Sequence, residues 1–103
     1  MPMENGQVFE KLIKICHDKH ISVLFTQFKA NYGLIRGDRI GIANDMGIDA
    51  INKTLAHEIA HSYLHYDKGN ITGEQQNEAY EEQADRAAVM LLETIQIAGG
   101  AQV

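Results

Sequence analysis

Five consecutive residues, His57-Glu58-Ile59-Ala60-His61, combine two imidazoles and a carboxylate in the pattern H-E-x-x-H. On a helix, positions four apart lie one turn apart on the same face, so both imidazoles can reach one divalent metal ion. Glu58 sits about 100° around the helix from His57, beside such an ion without having to ligate it. There its carboxylate can take a proton from a water activated by the metal and return it to a leaving amine. The surrounding residues support a helix. Ile51, Leu55, Ile59 and Tyr63, with Ala56 and Ala60, form an apolar face, and Thr54, His57, Glu58, His61 and His65 group on the other side.

A catalytic zinc needs a third protein ligand and one open position. The acidic segment that follows offers Glu74, Glu78, Glu81, Glu82, Asp85 and Glu93, and helical phase sorts them. Its apolar stripe is Ala84, Ala88, Leu91, Leu92 and Ile95. Glu81 and Asp85 fall on that stripe at i, i+4 spacing and Glu78 at its N-terminal extension, whereas Glu82 and Glu93 point elsewhere. Carboxylates on a face that should be buried are costly unless they meet a cation or a donor. Zinc would satisfy Glu81. The free N–H of a ligating histidine would satisfy Asp85, which would fix that ring's tautomer and orientation. The expected cofactor is one Zn2+ per chain.

Residues 1–103 read as a single domain that must position these groups. Val8, Leu12, Ile15 and Cys16 predict a helix over residues 7–19. Ile21 to Phe28 reads as a strand, and Gly33–Arg36 and Asp38–Ala43 as two more, joined by a turn at Gly37-Asp38. The motif helix should start at an Asp49 N-cap and run to about Tyr66. After a turn over residues 67–71, Thr72 and Gln75 form a capping box for a last helix that should stop near Ile97, before Gly99-Gly100. The fold class is α+β, an N-terminal helix, a small antiparallel sheet of about three strands, and two site helices. Asp38–Ala43 is the expected edge strand beside the cleft, to which an extended substrate could add by main-chain hydrogen bonds.

Two segments carry a likeness beyond the motif. Lys53-Thr54-Leu55-Ala56-His57-Glu58-Ile59-Ala60-His61-Ser62-Tyr63-Leu64-His65 and Glu81-Glu82-Gln83-Ala84-Asp85-Arg86-Ala87-Ala88-Val89-Met90-Leu91-Leu92 resemble the ImmA/IrrE family. The pairing of H-E-x-x-H with Glu81-x-x-x-Asp85 also resembles the gluzincin arrangement of thermolysin-like metalloproteases. The resemblance covers roughly residues 32–92 and implies a zincin-like core. It implies His57, His61 and Glu81 as zinc ligands and Glu58 as catalytic base. It further implies a protein substrate, a helix-turn-helix transcriptional repressor of the kind found in bacteria, phages and mobile elements. Family members often continue past the last leucines with Met-Pro and a further helical region; here Glu93-Thr94 follows. The expectation is a minimal core whose recognition surface is missing or supplied in trans.

Charge and composition remove other classes. The net charge is −5, with three Lys or Arg against ten Asp or Glu in residues 41–103. Trp is absent, so neither a phosphate-binding basic cluster nor a base-stacking platform is evident, and no direct nucleic-acid contact is expected. Cys16 is alone, excluding a disulfide framework, and it reads as core rather than nucleophile. No basic leader or membrane-spanning run is evident, so the expected setting is cytoplasmic, without a membrane partner. His65 lacks the spacing of a third metal ligand, and His17 and His20 read as helix-end residues. Tyr32, Tyr63, Tyr80, Arg39 and Arg86 are candidates to help stabilise an oxyanion. The leading function is a zinc-dependent endopeptidase acting on a regulatory protein. The alternatives are a catalytically silent zinc-containing module that sequesters a repressor, and a domain in which zinc serves only folding.

Overall fold

The computed structural model describes residues 3–27, 33–65 and 74–100. The elements run α1 (Asn5–Asp18), β1 (Ser22–Thr26), β2 (Gly33–Arg36), β3 (Arg39–Ala43), α2 (Ile48–His65) and α3 (Glu74–Gly100). This is an α+β fold, as the patterning requires. The expected turn over residues 67–71 and the Thr72 cap lie outside the described residues.

Helix α1 buries Val8, Leu12 and Cys16, one residue per turn along one stripe. At its start the Glu4 backbone N–H donates to Gln7 Oε1 at 3.0 Å. Its end is a Schellman motif: Ile21 N–H donates to the Cys16 carbonyl at 2.7 Å and His20 N–H to the His17 carbonyl at 3.1 Å. His20 occupies the left-handed position, with φ 59°. It therefore ends the helix through its backbone, in keeping with its reading as a helix-end residue. Burial of Cys16 pushes its thiol up to about 11, consistent with a core residue.

The sheet has the order β1-β3-β2 and is mixed. β2 and β3 form an antiparallel hairpin through Gly37, at φ 60°, while β1 runs parallel to β3. The expected antiparallel sheet is corrected in this one pairing, and the expected edge strand is corrected with it. β3 carries Ile40 and Ile42, which are 1% and 0% exposed, so burial favours the central position for β3. The cleft-side edge is β2, which pairs only with β3 among the described strands and packs against α2.

Helix α2 crosses the sheet with Leu55, Ala56 and Ile59 in the core. Its first bond runs from Ile51 N–H to the Gly47 carbonyl at 3.0 Å. Gly47 thus caps the helix, and Asp49 lies in its first turn, where a carboxylate suits the positive end of the dipole. Tyr63, expected on the apolar face, is 75% exposed. The most extensive contact between elements joins α2 to α3. Ala60, Ala84 and Ala88 are buried, and small side chains let helix axes approach closely. At its far end α3 continues through Gly99, past the expected stop. A Cβ on Gly99 would collide with the Met3 side chain. Gln96 clasps the Met3 backbone, accepting from its N–H at 2.7 Å and donating to its carbonyl at 3.0 Å.

Candidate metal centre

Where α2 meets α3, three side chains aim donor atoms at a common point. His57 Nε2 lies 2.7 Å from Glu81 Oε2, and His61 Nε2 lies 2.8 Å from Glu81 Oε1. The two Nε2 atoms are 3.1 Å apart, with the rings nearly perpendicular at 81°. His57 Nδ1 lies 2.7 Å from Asp85 Oδ1. An N–H on Nδ1 donating to that carboxylate leaves Nε2 of His57 with a lone pair. Lone pairs from two imidazoles and a carboxylate then converge, which is repulsive unless a proton or a cation lies between them. Two imidazoles and one carboxylate make a known catalytic zinc donor set. Four ligands tetrahedrally placed about zinc stand about 3.3 Å apart, so a few tenths of an ångström of spreading would admit the ion. His57, His61 and Glu81 therefore fit a metal.

Glu81 reaches both histidines, whereas Glu82 points away and pairs with Arg86 at 2.6 Å on the exposed side. Glu78 and Glu93 are exposed. Asp85 stands against the outer nitrogen of His57, where a ring-orienting carboxylate was expected.

Glu58 is buried, at 6% exposure. Burial pushes its carboxyl up to about 7, with the Glu81 charge adding to the effect and His57 opposing it. A carboxyl poised near neutrality can both take and return a proton. The wall beside it is β2: a Cβ built on Gly33 would lie 3.4 Å from Glu58 Cγ and 2.5 Å from Thr54 Cγ2. Sequence reasoning passed over Gly33 and Thr54 as site residues. The available signal was a glycine opening a short strand, directly before the apolar pair Leu34-Ile35.

The remaining candidates fall elsewhere. Tyr63 lies 5.2 Å beneath Lys19 Nζ, at the end of α1. Arg39 is exposed, opposite Arg36 in the hairpin, and Arg86 is held by Glu82. Tyr80 is half-buried on α3. Tyr32 and the side chains of His65 and Glu74 lie outside the described residues.

A helix bearing two histidines and a buried glutamate, crossed by a second helix bearing a third ligand candidate, defines a metallopeptidase-like domain. A family model described as the IrrE N-terminal-like domain, a peptidase family, matches residues 16–93, and the chain belongs to that family. The match runs from the end of α1 into α3 and includes every residue of the centre. No curated protein and no solved structure matches the chain. Among the described residues no helix is long and apolar enough to cross a membrane.

Proposed function

We propose that this protein is a zinc-dependent endopeptidase that hydrolyses a peptide bond in a regulatory protein, most simply a helix-turn-helix repressor. One observation carries the reading: a buried Glu58 adjoins a His57–His61–Glu81 cluster whose donor atoms stand 2.7–3.1 Å apart. His57, His61 and Glu81 would hold the ion, and Asp85 would keep the His57 ring in its ligating tautomer. Zinc, when bound, polarises the scissile carbonyl and makes the attacking water more acidic.

Glu58 accepts the proton released as the water oxygen bonds to the carbonyl carbon. It then delivers that proton to the amide nitrogen as the C–N bond breaks, so the carboxylate is regenerated. A group this well buried is shielded from bulk water, which makes its charge and its proton more effective at the reacting atoms. Edge strand β2 offers main-chain groups to an extended substrate, and these hydrogen bonds select little sequence. Selectivity then falls to a partner docked elsewhere on the surface. The net charge of −5 complements a basic DNA-binding partner, and their association should be faster at low salt.

The test is incubation with the repressor encoded nearby, using the parent protein and Glu58→Gln. Cleavage by the parent alone supports hydrolysis. Tight, salt-sensitive binding with no cleavage by either protein would replace this reading with sequestration. Rapid digestion of unrelated unfolded proteins would overturn the docking argument.

A further inference from the structure

The closest constraint on the Glu58 side of the centre is a missing side chain. In the β2–β3 hairpin Gly33 pairs with Ile42, whose side chain is fully buried. Strand alternation therefore aims a Cβ on residue 33 at the same face, the one against which α2 packs. There it would meet Thr54 Cγ2 at 2.5 Å, far inside an ordinary carbon–carbon contact, and Glu58 Cγ at 3.4 Å. Thr54 and Glu58 are one turn apart on α2, so the strand rests against two successive side chains of the helix that carries both histidines. Helix α2 is held on its other sides by α1 and α3, whereas β2 is bonded on one side only among the described strands. Thr54 is β-branched and stiff at χ1, so an added atom at residue 33 is relieved most readily by movement of the less firmly held strand.

We propose that Gly33 and Thr54 form a spacer contact that sets the distance between the β2 edge and the Glu58 carboxylate, making Gly33 a positioning residue for hydrolysis. The proposal rests on the endopeptidase reading for its consequence in catalysis, and on packing alone for the contact itself. Opening a 2.5 Å contact to an ordinary one moves the strand by about 1 Å. A substrate hydrogen-bonded to β2 travels with it and keeps its bonds while losing alignment with Glu58. Misplacement on this scale can cost about 100-fold in rate. The loss should fall on kcat, with KM changed less than about threefold. Zinc content should be unchanged, because His57, His61 and Glu81 lie on α2 and α3.

The experiment is a double-mutant cycle of Gly33→Ala and Thr54→Ser, since serine removes the obstructing Cγ2 and keeps the hydroxyl. Three readouts are taken: kcat and KM on whichever substrate the parent cleaves, the repressor or self-quenched labelled casein, the urea midpoint, and the carbon-13 shift of the Glu58 carboxyl in chelator-treated protein. Gly33→Ala should lower kcat and the midpoint and move the Glu58 resonance. The double variant should recover at least half of each change. If the double variant is no better than Gly33→Ala, or Gly33→Ala matches the parent in all three, the spacer is refuted. If the parent cleaves neither casein nor the repressor, the endopeptidase reading and the positioning role fall, and the midpoint and resonance still decide the contact.

Discussion

Removing the charge of Glu58 should change the pH dependence of stability in the metal-free protein. An unfolded chain releases this proton near 4.5, while burial holds it in the folded chain to about 7. Between those values the folded state binds more protons, so stability falls as pH rises and levels off above about 7. A separation of this size corresponds to about 3 kcal/mol between pH 4 and pH 8. That is a large share of the roughly 5–15 kcal/mol that holds an ordinary domain together. Glu58→Gln has no titrating group, so this component should vanish. Urea unfolding of chelator-treated parent and variant, followed by far-ultraviolet circular dichroism from pH 4 to pH 8, reads the difference. The variant should gain on the parent by about 3 kcal/mol across that range. Parallel curves would mean that Glu58 pays no desolvation penalty and would refute the reasoning. Zinc added back should narrow the gap, because a cation beside a carboxylate favours its charged form.

Other outcomes follow from the same geometry. Elemental analysis after mild purification should find one zinc per chain in the parent and a severe loss in His57→Ala and His61→Ala. Glu81→Ala should lose zinc far more than Glu82→Ala. Asp85→Ala should fall between them, weakening affinity by about 10- to 100-fold in a competition titration. Leu55→Ala, emptying a fully buried core position on α2, should cost about 2–5 kcal/mol in urea unfolding.

The centre was legible because helical periodicity is local. His57 and His61 share a face at any angle of approach by a neighbour, and the Ala84–Ala88 stripe fixes which acidic residues of α3 must turn inward. Sheet topology is not local in this sense. Strand propensity located β2 and β3 closely, yet nothing in either strand states that β3 lies between β1 and β2. That follows from which strand gains most by burial, a property of the assembled layers. Tyr63 misleads for a related reason. Helical phase places it on the apolar side, but it lies where the core has ended. Gly33 escaped attention because its contribution is an atom it lacks, and the clash it avoids exists only once α2 and β2 are together.

The strand order also sets a sequence of events in folding. β2 and β3 are joined by a two-residue turn and can pair as a local hairpin, an event on the scale of microseconds. β1 pairs with β3 at a constant separation, Ser22 with Arg39 and Thr26 with Ala43, and must reach across the chain to do so. Loop closure of this kind is entropically costlier and gains little until the apolar face of β3 is already presented. The hairpin should therefore form first, with β1 docking onto it afterwards. Substitutions in the hairpin should slow folding, whereas those in β1 should mainly speed unfolding.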